Sequence, residues 1–146
     1  MNKIIIIKRT KMFLPEANAY KEYFEDSEDF DPIILNSKNE FNKVLEDTTS
    51  EKIIIISFPG FFYKPLIQRR DIIHIHDYTS SSVGHFAKLK NKLKSKFNFK
   101  PNMRFFQNKD VKNKFNFNDD IPYLYRPMGV NKTIFNFPPK QSQKFD

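Results

Sequence analysis

The 146-residue chain contains no cysteine, which removes a disulfide framework, thiolate catalysis and cysteine-based zinc or iron–sulfur sites together. It has no apolar run near the ~20 residues needed to span a bilayer. Its N-terminal Lys3-Ile4-Ile5-Ile6-Ile7-Lys8 is also too short for a signal-peptide core. A soluble chain of one domain, housed in a reducing cytoplasm, is therefore expected. Glycine is scarce as well, and none follows the first apolar run, where doubly wound folds use glycines to bring backbone close to a phosphate. Any phosphate held there must be met by the side chains of the basic loop Lys8-Arg9-Thr10-Lys11.

What is abundant is positive charge in one half. Residues 1–60 carry 8 Lys or Arg against 11 Asp or Glu (net −3), and residues 61–146 carry 17 against 6 (net +11). A basic half points to an anionic partner, either nucleic acid, a membrane surface or a phosphorylated small molecule; a merely solvated lysine-rich face would look the same.

Four apolar runs suit strands buried on both faces: Ile4 to Ile7, Pro32 to Leu35, Ile53 to Ile56 and Ile72 to Ile75. Arg104 to Gln107 and Tyr123 to Tyr125 are weaker candidates. Helical segments alternate with them, at Pro15 to Phe24, Asn39 to Glu46 and Ser82 to Phe97. This alternation predicts an α/β fold, a Rossmann-like three-layer α/β/α domain with a mostly parallel sheet. In the helix from Ser82, the residues Phe86, Leu89, Leu93 and Phe97 form one stripe flanked by Lys88, Lys90, Lys92, Lys94 and Lys96. The stripe is expected to face the core, with a bilayer-facing helix as the alternative.

The densest chemistry is Asp71-Ile72-Ile73-His74-Ile75-His76-Asp77-Tyr78, followed by Thr79 and three serines. It reads as a buried strand, a polar turn and a capped helix, the place where open α/β sheets hold ligands. His74 and His76 share one face of such a strand and Asp77 points to the other. With no obvious third ligand, hydrogen bonding is the better expectation than metal binding. His74 lies within the apolar run and reads as a core residue; His76, at its edge, is expected to face a ligand. A third region, Arg126-Pro127-Met128-Gly129-Val130-Asn131-Lys132-Thr133-Ile134-Phe135, places Gly129 where a tight turn wants positive φ.

Together these segments resemble the N-terminal domain of GT-B glycosyltransferases of the family 4 group. That family shows a strand of the pattern Asp-hydrophobic-hydrophobic-His-x-His, here Asp71 to His76. It also shows an Ile-Pro-Asn-Gly-Val-Asp-x-x-x-Phe signature entering the interdomain linker, here Arg126 to Phe135 with Met128 in place of the asparagine. The family's glycine-rich first loop is replaced by Lys8 to Lys11.

The resemblance implies that residues 1–135 form one half of a GT-B architecture and residues 136–146 begin the linker, with no C-terminal donor domain in this chain. It implies retaining transfer of a sugar from a nucleotide-sugar donor to a saccharide or lipid-linked acceptor, in polysaccharide or glycolipid synthesis. His76 would contact the sugar or acceptor, with Lys8, Arg9, Thr10, His74, Asp77, Tyr78, Ser80, Arg126 and Gly129 as substrate-binding residues around it. No cofactor is expected in this chain, because the donor would bind mainly the other domain, and the chain alone should transfer nothing. Peripheral contact with an anionic membrane and dimerisation of the isolated domain are further expectations. The rival readings are a non-catalytic partner of a split enzyme and a basic nucleic-acid-binding module using Phe97, Phe99, Phe105 and Phe106.

Overall fold

A computed structural model describes residues 2–7, 14–36, 38–46, 48, 52–59 and 71–127. The elements run β1 (Asn2–Ile7), α1 (Pro15–Glu25), β2 (Phe30–Leu35), α2 (Lys38–Glu46), β3 (Ile53–Ser57), β4 (Ile72–Tyr78), α3 (Ala87–Phe97), β5 (Met103–Phe106), α4 (Lys109–Phe115) and β6 (Tyr123–Tyr125). All six strands are parallel, in the order β2-β1-β3-β4-β5-β6. The fold is a Rossmann-like three-layer α/β domain. Its strand order is the flavodoxin-like 2-1-3-4-5 arrangement carried on by a sixth strand, instead of the dinucleotide-binding 3-2-1-4-5-6 order.

The isoleucine runs form strands because both sides of each are covered, so β-branched side chains pack on either face of the pleat. Ile4 and Ile6 join Ala17, Tyr20 and Phe24 of α1 on one face. Ile5, Ile7, Ile53 and Ile55 join Phe41 and Val44 of α2 on the other. Pro32, which cannot donate to a ladder, is tolerated because β2 is an edge strand bonded only to β1, with Pro32 opposite Ile4. Farther along the α2 face, Tyr78 and Phe106 pack with Val111 and Phe115 of α4.

Two parts of this architecture differ from expectation. Helix α4 is additional. It starts where the Asn108 side chain accepts a hydrogen bond from the Val111 amide at 2.9 Å, and it ends at Asn116 in the left-handed region (φ 47°). Helix α3 begins at Ala87, five residues after Ser82, and no side chain caps it. Residues 84 to 86 form a turn in which Gly84 takes φ +88°, a conformation that strains any residue bearing a Cβ.

The orientation of α3 is the larger correction. Val83, Phe86, Leu89 and Phe97 are 82, 68, 53 and 52% exposed, whereas Asn91 on the opposite side is 3% exposed. The helix lies against α4, and its inward side carries the half-buried Ala87 and the buried Asn91. Asn91 can be buried because its side-chain oxygen accepts the Ser82 amide at 2.9 Å. Of the stripe expected to face the core, Phe86, Leu89 and Phe97 face outward and Leu93 is half-buried.

Candidate functional site

Strand β4 carries two different chemistries on its two faces. On the α2 face stand His74, His76 and Tyr78, all buried. The two imidazoles pack against the Phe99 ring at centroid distances of 5.2 and 6.2 Å, and His76 Nδ1 lies 3.4 Å from the Tyr78 hydroxyl. Tyr78 belongs to the aromatic cluster with Phe106, Phe115 and Phe117. Burial pushes its hydroxyl up to about 12, although Arg104 and Asn98 pull the other way.

The expectation that His76 faces a ligand is therefore corrected: it is 0% exposed. The reason is strand length. Pairing with β5 continues through Asp77 opposite Phe105 and Tyr78 opposite Phe106, so His76 is an interior strand residue. His74 is a core histidine as expected, and Ser80 lies beyond the strand and is exposed. Lys8, Arg9, Thr10 and Gly129 lie outside the described residues.

Asp77, on the other face, is 1% exposed. Its Oδ2 accepts from the Tyr20 hydroxyl at 2.8 Å and from Arg126 Nε at 2.6 Å, with Arg126 Nη2 also at 2.6 Å. Its Oδ1 has no hydrogen-bond partner among the described residues. The guanidinium lies 5.6 Å from the Tyr20 ring centroid, within cation–π range, and Nη1 donates to the Pro127 carbonyl at 3.1 Å. Burial raises the Asp77 carboxyl above its ordinary range, and the pull of Arg126 and Tyr20 in the opposite direction does not cancel it. Burial and the neighbouring carboxylate likewise drive the Tyr20 hydroxyl far upward, so it stays protonated and donates.

Three segments make this cluster: α1 supplies Tyr20, the end of β4 supplies Asp77, and the residue after β6 supplies Arg126. Beside it runs a cleft of about 500 Å³ lined chiefly by Glu16, Tyr20, Tyr23, Phe24, Phe105 and Arg126. The size suits a small molecule or one to two sugar rings. Asp77 is absent from the lining and fastens two residues that are in it. Aromatic faces could stack on a ring, while Arg126 and Glu16 offer a donor and an acceptor.

Sequence reading missed Tyr20, Phe24 and Phe105 as site residues. The one available signal was Glu16, Tyr20 and Phe24 at four-residue steps, placing them on one face of α1. Among the described residues no group of three or more His, Cys, Asp or Glu could hold a metal ion. A second carboxylate pair is structural: Asp119 takes two hydrogen bonds from Arg104, at 2.5 and 2.8 Å, which hold its carboxyl below the usual range. Arg104 in turn lies 3.8 Å from the Phe117 ring centroid.

Fold and cleft together define a Rossmann-like α/β domain with a ligand-sized cleft on the α1 side of its sheet. Set against protein-family models, curated proteins and solved structures, the chain matches none. No helix among the described residues is long and apolar enough to cross a membrane.

Proposed function

We propose that this chain is the acceptor-binding domain of a retaining glycosyltransferase of GT-B type, taking a saccharide or lipid-linked acceptor in the cleft between α1 and β5. The observation that carries the reading is the meeting of Asp77 with Arg126, 49 residues apart. Asp77 directly follows the strand motif on which the family resemblance rests, and Arg126 opens the second motif.

In this reading Arg126 and Tyr20 orient the acceptor and Asp77 holds both in place. His76 supports the strand from its opposite face. The domain's contribution would be positioning and electrostatic stabilisation, with the nucleotide-sugar donor brought by a second domain or a partner chain. A glycan array probed with this chain tests the reading. Binding to a restricted set of saccharides that falls at least tenfold in Tyr20→Ala and Arg126→Met, under conditions where circular dichroism shows both variants folded, supports it. Absence of binding to any glycan, or binding that ignores both substitutions, overturns it.

A further inference from the structure

We propose that the outward face of α3, with the turn before it, is a docking surface for an anionic lipid bilayer. Val83 and Phe86 of the segment before the helix and Leu89 and Phe97 of the helix are exposed, and Leu93 between them is half-buried, so this apolar side is turned largely to solvent. Asn91 is the buried residue of α3 and Lys94 lies 6.0 Å from the Phe115 ring centroid of α4, so the side that attaches α3 to the rest of the chain is not the stripe. Lysines border the stripe on both sides. Lys88, Lys92, Lys96 and Lys100 recur at four-residue steps along one flank and share a cleft with Lys114 of α4; Lys90 stands on the other flank.

Charge complementarity selects the occupant. Between Asp77 and Asp110 the chain has no acidic residue, and it has 8 Lys or Arg there; among the described residues only Arg104 of these is ion-paired with a carboxylate. A lysine ridge alone would serve a nucleic acid as well as a membrane. A phosphodiester backbone, however, leaves Val83, Phe86 and Leu89 in water, whereas the headgroup boundary of an anionic bilayer takes lysines and apolar side chains side by side. Lysine stems can lie along the apolar surface while their ammonium groups reach the lipid phosphates.

This proposal stands independently of the glycosyltransferase reading. The chain contains no tryptophan, so Leu89→Trp gives a single interfacial reporter at an exposed position. At low salt its fluorescence should be that of a water-exposed indole. It should shift to the blue with phosphatidylcholine vesicles containing about a quarter phosphatidylglycerol, with roughly tenfold or weaker affinity for neutral vesicles. Adding Phe86→Glu, at another exposed position, should abolish the shift while far-ultraviolet circular dichroism stays unchanged. A blue-shifted emission before any vesicle is added would mean that the stripe is already covered by this chain or by a second copy, and would overturn the proposal. So would equal affinity for neutral vesicles, or a response to single-stranded DNA and none to anionic vesicles.

Discussion

Asp77 shows how a buried ion pair is set by opposing effects. Removing its carboxylate from water costs several kcal/mol, and a guanidinium at 2.6 Å returns part of that cost. The raised carboxyl shows which effect prevails. Losing one partner should then hurt far more than losing both. Arg126→Met is expected to cost about 3–5 kcal/mol at neutral pH, and Asp77→Leu added to it should restore most of the loss. The pH dependence has a definite sign. Without Arg126 the folded-state carboxyl rises further. Its stabilising contribution is complete below the unfolded value of about 3.9 and is lost as pH rises through the raised folded value. The deficit of Arg126→Met should therefore shrink on acidification, as urea denaturation at pH 7 and pH 4 would show. A deficit that grew in acid would contradict the assignment. Sequence made Asp77 legible through alternation, since it had to face away from His74 and His76. It could not pair Asp77 with Tyr20, 57 residues away, because that contact depends on where α1 crosses the sheet.

At the level of elements, strands were easier to locate than helices to orient. Six runs rich in apolar and aromatic residues became six strands within one or two residues at most ends, because a strand buried on both faces leaves an unbroken apolar signature. Helix α4 went unseen because its seven residues bury only Val111 and Phe115, too little for a periodic stripe. Its start was nevertheless written in Asn108, whose side chain meets an otherwise unpaired first-turn amide. Asn108→Ala should destabilise the domain by about 1 kcal/mol, read as a lower urea midpoint at unchanged slope. An unchanged midpoint would mean that the cap adds nothing to the fold. For α3, periodicity found the helix and misplaced its interior. A stripe at helical spacing shows that an apolar face exists without showing what covers it, and here a hydrogen-bonded asparagine occupies the inward side.

Across the whole molecule, the parallel architecture was legible from the alternation of strand and helix, while the location of the cleft was not. It opens where the α1 side of the sheet gives way to β5 and the residue following β6, a consequence of strand order and of α1 lying on the opposite face from α2 and α4. The outward stripe of α3 has a consequence for the chain as a colloid. Copies of a protein with formal net charge +8 repel one another, and the lysines beside Phe86 and Leu89 hold the most adhesive parts of two copies apart. Salt weakens that spacing, since the screening length falls from ~10 Å at 0.1 M to ~3 Å at 1 M. Self-association measured by sedimentation should thus increase with ionic strength and disappear in Leu89→Glu, the opposite of the salt response expected for attachment to an anionic surface. Ionic strength would then decide which neighbour the same few side chains meet.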